Sequence, residues 1–262
     1  MPVFLRYESR HAMTKITSRK MHRWLSVLIG IQLLIWTISG LVFSWSPISQ
    51  IRGEDNVKQQ VKVDLNQYEL VDINSILSQP HLIPPQQSVV GLELKSILGK
   101  PFFDLTLDGK AKSHVLLDGL SGKVASPISR GLAEAIAIGD FAHPADVLES
   151  TFIDQVQVGH SEYRSKEVPV WKVLLDHPSQ TAIYVSAQRG EVVARRNARW
   201  RVFDFFWMLH TMDYQGRDNF NSLLLQVMAI SGVLSVLSGY WLWIGMHRKK
   251  IKEVIKQWIP EK

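Results

Sequence analysis

Two stretches without a single charged side chain decide what this chain can become. Trp24 to Ile51 and Asn219 to His247 contain no Lys, Arg, Asp or Glu. Each exceeds the roughly 20 residues that an α-helix needs to cross about 30 Å of hydrocarbon at about 1.5 Å per residue. They lie at opposite ends of a 262-residue chain whose 46% hydrophobic content is ordinary for a soluble protein. The membrane character therefore resides in where the apolar residues are placed, not in how many there are. The expectation is a two-helix membrane anchor, with transmembrane helices over residues 24–46 and 222–246.

The basic residues orient that anchor. Arg6, Arg10, Lys15, Arg19, Lys20 and Arg23 precede the first run, and Arg248, Lys249, Lys250, Lys252, Lys256 and Lys262 follow the second. With Glu8, Glu253 and Glu261 the two ends carry a net charge of +9, and the middle, with 18 basic and 21 acidic residues, carries −3, which gives the formal net charge of +6. A basic surface for nucleic acid is excluded by that placement, because the excess charge flanks the apolar runs. Basic flanks at both outer ends place residues 1–23 and 247–262 in the cytoplasm and export the middle, which reads as a periplasmic domain anchored in a bacterial inner membrane. A cleaved signal peptide fits less well: the first run is too long for an h-region, and Ser44-Trp45-Ser46-Pro47 lacks a small-x-small site ending in Ala. The chain has no cysteine, which excludes disulfides, thiolate zinc, iron–sulfur clusters, c-type haem attachment and a cysteine nucleophile.

Pro47 is expected to end the first helix. In the second, Ser231, Ser235 and Gly239 recur every four residues, with Gly232 and Ser238 beside them, which predicts a face for close helix contact; Ser26 and Gly30 make a weaker step of the same kind in the first. Phe203, Phe206, Trp207 and His210 fall at helical spacing, so residues 199–221 read as an aromatic segment lying on the outer membrane surface.

The middle contains an internal duplication at an offset of 68 positions. Gln87 matches Gln155, Val90 matches Val158, Gly91 matches Gly159, Pro101 matches Pro169, Leu107 matches Leu175, Asp108 matches Asp176, Gly122 matches Gly190 and Val124 matches Val192. Each copy alternates like a hairpin: Phe103, Leu105 and Leu107, a turn at Asp108-Gly109, then Val115 and Leu117, a turn at Gly119 to Gly122 and a strand over Lys123 to Ala125. Helices are predicted at Val71 to Leu77 before the first copy, and at Gly131 to Ile138 and Ala145 to Glu149 before the second. The fold class expected is an α-helical membrane anchor plus an α+β domain of two tandem modules, residues 47–127 and 128–198, each a helix packed on an antiparallel meander.

Met21-His22-Arg23-Trp24 at the start of the first helix, the two turn endings Leu117-Asp118-Gly119-Leu120-Ser121-Gly122-Lys123-Val124 and Val185-Ser186-Ala187-Gln188-Arg189-Gly190-Glu191-Val192, and Phe203-Asp204-Phe205-Phe206-Trp207-Met208-Leu209-His210 resemble the PepSY proteins with PepSY-associated membrane helices. The resemblance extends from Lys20 onward and makes the two modules PepSY-like. It implies two functions. Longer, four-helix relatives look like b-haem ferric-siderophore reductases, which move electrons to periplasmic substrates through membrane histidines. Soluble PepSY domains instead resemble inhibitory or chaperoning segments of secreted peptidases. This chain has half the reductases' helices, so a complete reductase implies a homodimer or a partner membrane protein.

His22 and His247 flank the two helices at the cytoplasmic face, and His210 matches the family's histidine at the opposite face. All three are candidate haem b ligands, with His247 supplying a second axial position at the inner face and a second copy's His210, or a nearby Met208 or Met212, supplying it at the outer face. The leading expectation is a haem-associated electron-transfer component for iron or siderophore reduction. The alternative is a non-enzymatic module that binds a periplasmic protein such as a peptidase. Asp108 and Asp176 read as turn formers, and His81, His114, His143, His160 and His177 show no metal-ligand spacing, so neither catalytic residues nor a metal site are expected. No phosphate loop, nucleophile elbow or zinc-protease motif is present.

Overall fold

The computed structural model describes residues 3–59, 64–78, 82–109, 113–155, 161–164 and 167–258, with side chains at residue 20 and over 22–247 within those ranges. Its helices are α1 (Val3–Trp45), α2 (Ile48–Arg52), α3 (Ile73–Leu77), α4 (Arg130–Asp140), α5 (Ala198–Thr211) and α6 (Leu223–Trp258). Its strands are β1 (Ser88–Ile97), β2 (Lys100–Asp108), β3 (Ser113–Asp118), β4 (Asp146–Ile153), β5 (Val170–Asp176), β6 (Ala182–Ser186) and β7 (Val192–Arg196). The chain divides into two compact units, Met1–Trp45 with Phe205–Lys262, and Ser46–Asp204.

In the first unit, His22–Trp45 of α1 and Leu223–His247 of α6 are each long and apolar enough to cross a membrane. As expected, α1 stops just before Pro47, which has no N–H to continue the ladder. The two helices run antiparallel: Gly239 faces His22, Ser235 Oγ lies 3.2 Å from Ser26 Oγ, and Gly232 faces Ile29. A Cβ on Gly239 would come within 3.3 Å of His22 Cε1, so the small-residue face predicted on α6 is the face that meets α1.

The second unit holds two antiparallel sheets, ordered β1-β2-β3 and β4-β5-β6-β7. One face of the first sheet buries Phe103, Leu105, Leu107 and Leu117 with Ile76 of α3. Its other face contributes Phe102 and Leu116 to a core shared with α4 and with Val173, Leu175, Ile183 and Val185 of the second sheet. A third cluster, Tyr163, Val170, Ala182, Tyr184 and Ala194, covers the remaining face of the second sheet. Ser129 caps α4 by accepting from Leu132 N at 3.3 Å, and Asp72 caps α3 in the same way through Asn74 N.

From β2 onward the two sheets repeat at the predicted offset. Gly119 N donates to Pro101 O at 2.9 Å, and Ala187 N to Pro169 O at 3.0 Å. Gly122 N donates to Asp118 O and Gly190 N to Ser186 O, both at 2.9 Å, with φ of 69° and 62° at the two glycines. These left-handed angles are the reason that glycine stands in both turns. Upstream the offset changes. The bulge between Val89 and Gly91 opposes Leu107 and Thr106, and its counterpart between Val147 and Glu149 opposes Leu175 and Leu174, a displacement of 58. The connection between the first two strands is thus ten residues longer in the second sheet, and Gln87 does not correspond to Gln155. Val158 and Gly159 themselves lie outside the described residues.

Two expected elements differ. Ala145 to Glu149, predicted as helix, is mostly β4: an apolar run this short has no decisive period, and Ser150-Thr151-Phe152-Ile153 extends it as a β-prone strand. Lys123 to Ala125 forms only the bridge Leu117↔Val124, whereas the equivalent stretch of the second sheet is the full strand β7.

Candidate functional site

The histidines singled out in the sequence occupy three different settings. His22 lies in the joint between α1 and α6, where its Nδ1 is 2.7 Å from Ser238 Oγ and its Nε2 is 3.4 Å from Ser26 Oγ. Glycine at 239 is what lets the imidazole edge reach α6 at all. Flanking that joint on α6, Ser235, Val236, Gly239, Tyr240 and Trp243 line an open groove of about 400 Å³, with small residues as its floor and two aromatic rings as its wall.

His210 lies near the C-terminal end of α5 and packs on α1. Its Nδ1 is 2.7 Å from the fully buried Ser39 Oγ. Its carbonyl, one of the last in the helix and so without an intrahelical partner, accepts from Trp36 Nε1 at 2.8 Å. Phe43 meets the imidazole edge-on at 5.4 Å and also packs on Trp207, so the aromatic stripe of α5 serves to seat His210 against α1. His210 Nε2 has no hydrogen-bond partner among the described residues.

His22 and Ser39 are 17 positions apart on α1, which separates the two imidazole levels by about 26 Å along the helix. His247 joins neither. It lies eight residues beyond Gly239, about 12 Å along α6 from the level of His22, with its Nδ1 bound to Trp243 O at 3.0 Å and its ring tilted over Trp243. The structure thus does not bring His247 to His22 within one chain. Met212 is buried with φ of 53°, in the turn that follows α5.

The donor set fits b-type haem at the two levels to different degrees. A haem-ligating imidazole normally gives one nitrogen to the iron and engages the other in a fixed hydrogen bond. His210 has that arrangement, with Nδ1 engaged and Nε2 unengaged. His22 has Nδ1 engaged and Nε2 opposed only by a long contact from Ser26.

His114, His143 and His177 belong to the second unit. His114 Nδ1 lies 2.9 Å from Asp104, and His143 stacks on His177 at 5.4 Å. His81 and His160 lie outside the described residues. Asp108 accepts from Gly109 N at the start of its turn, as a turn former does. The sequence pointed to His22 and His210 and placed Ser238 on the small-residue face of α6, but gave no sign that Ser238 and Ser39 stand opposite those imidazoles. The polar residues within otherwise apolar runs were the only available signal for them.

The family model of the PepSY-associated TM region matches residues 19–261. No curated protein and no solved structure matches the chain.

Proposed function

The chain belongs to the family of the PepSY-associated TM region, and from that membership we propose that it is a haem-associated electron-transfer component of the bacterial inner membrane, linked to reduction of iron or of ferric siderophores. The observation that carries this reading is the pair of imidazoles, His22 and His210, each hydrogen-bonded through Nδ1 to a serine across a helix joint. They stand at two depths about 26 Å apart. A hydrocarbon layer of about 30 Å is too thick for one redox group near either surface to serve both sides, and two levels divide that distance.

In this reading α1 and α6 span the membrane, both termini are cytoplasmic, the unit between them is periplasmic, and its two sheets are tandem PepSY-like modules. A bound b-type haem supplies one-electron oxidation and reduction at its iron. The protein's own residues do the rest. His210 would hold the haem iron through its unengaged Nε2, with Trp36 and Ser39 holding its backbone and ring and Phe43 and Trp207 packed around it. His22 would do the same at the inner level, with Gly239 making the space. Each level has one imidazole per chain, so a second protein ligand to a haem there would come from another copy or a partner membrane protein.

The test is spectroscopic. Protein purified from haem-replete cells should show b-type bands in reduced-minus-oxidised spectra, and His22→Ala and His210→Ala should each lose part of the haem while still inserting. Colourless wild-type protein, or unchanged haem in both variants, would overturn the reading in favour of a membrane-anchored module that binds a periplasmic protein such as a peptidase.

A further inference from the structure

The serines opposite the two imidazoles each have a carbonyl of their own helix within donating distance. Ser39 Oγ lies 2.9 Å from Ile35 O and 3.0 Å from Trp36 O, and Ser238 Oγ lies 2.9 Å from Ser235 O. A carbonyl can only accept, and a hydroxyl has one hydrogen to give. Where that hydrogen points back into its own helix, it is not available to the imidazole. The 2.7 Å contacts of Ser39 with His210 Nδ1 and of Ser238 with His22 Nδ1 are then hydrogen bonds only if the imidazole donates.

We infer that Ser39 and Ser238 are positioning residues that hold His210 and His22 in the Nδ1–H tautomer, so that each ring keeps its lone pair on Nε2 before any ligand arrives. Helix backbone, serine and imidazole form one short chain at each level, built from two different pairs of helices. Ser39 is fully buried and Ser238 half-buried, so water does not compete freely for the imidazole N–H at either site. The levels differ in one respect. Ser26 Oγ, 3.4 Å from His22 Nε2 and 3.2 Å from Ser235 Oγ, can donate to the His22 lone pair, and among the described residues no such donor faces His210. His210 is thus the more open ligand and His22 the more guarded.

What the Nε2 lone pair serves rests on the haem reading; the tautomer does not. The decisive measurement uses the full-length protein without haem, labelled with ¹⁵N-histidine, at a pH well above the ordinary imidazole value of about 6.5. Long-range ¹H–¹⁵N correlations should show both rings protonated at Nδ1. Ser39→Ala should lose that state at His210 alone, Ser238→Ala at His22 alone, and Ser39→Thr, which keeps the hydroxyl, should retain it. Protonation at Nε2 in the wild type, or an unchanged His210 tautomer in Ser39→Ala, would overturn the inference. In haem-loaded protein, Ser39→Ala should weaken haem retention at the His210 level by about 10- to 100-fold, the usual cost of removing such a partner. If the tautomers behave as described and the wild type takes up no haem, the positioning role stands and the haem reading falls.

Discussion

Asp104, in the middle of β2, is only 2% exposed, and its carboxylate holds Lys95 at 2.7 Å, His114 at 2.9 Å and Arg189 at 3.3 Å. Lys95 and Arg189 share Glu191 as well, so one buried acid joins β1 and β3 to the turn between β6 and β7. Asp104→Asn should cost about 3 kcal/mol, at the low end for a broken buried pair because Lys95 and Arg189 keep some contact with water. Denaturant unfolding followed by hydrogen exchange of the β2 amides measures it. Burial pushes this carboxyl up, but the bonds and charges of Lys95 and His114 outweigh it and hold the group below the ordinary Asp range. The stabilisation is accordingly present above about pH 3.9, the ordinary Asp value, and is lost as pH falls below it. Wild-type stability should therefore drop more steeply over that acid range than that of Asp104→Asn. Gly190 makes a second residue-scale case. At φ of 62°, with an added Cβ only 2.8 Å from Ile97 Cδ1, Gly190→Ala should destabilise by about 1–3 kcal/mol from backbone strain alone.

At the scale of elements, the joint between α1 and α6 is set by what α6 lacks. A Cβ at Gly239 already reaches His22 at 3.3 Å, whereas one at Gly245 meets nothing within 4 Å. Gly239→Leu should therefore cost about 1–3 kcal/mol through overpacking and turn His22 away from Ser238, while Gly245→Leu should be nearly neutral. Melting in detergent compares the two, and equal melting temperatures would refute the packing face. The α6 face was legible because small residues every four positions align on a helix whatever the partner. The strands from β2 onward were legible because apolar alternation and turn glycines are local. By contrast, β1 and β4 were hidden: a ten-residue change in one connection breaks a constant offset, and alignment at 68 then matches residues that share no place in the ladder. The serine partners of His22 and His210 were hidden too, since they lie on other helices, 216 and 171 positions away. A sequence pattern records which face of a helix is special and does not record what stands opposite.

For the whole molecule, the proposed topology puts both ends of the chain on one side of the membrane, because two crossings would return it to where it began. One feature opposes that orientation. Arg195, Arg196, Arg199 and Arg201 stand together just before the second apolar run, on the side assigned to export. Two physical facts remove the conflict. Long loops translocate largely regardless of their charge, and the stretch between the spans far exceeds the limit of about 60 residues for the positive-inside count. In the folded unit, moreover, Arg195 binds Asp140 and Arg201 binds Glu162, so half of this charge is neutralised by carboxylates. Fusions to a reporter active only after export should thus be active at Asp118 and Glu191, and a cytoplasm-only reporter should be active at Lys262. Replacing Arg19, Lys20 and Arg23 together should weaken this orientation far more than replacing Arg195, Arg199 and Arg201, whose loss should instead lower the stability of the exported unit. Cytoplasmic activity at Asp118 or Glu191 in the wild type would invert the topology and, with it, the assignment of His22 to the inner level and His210 to the outer.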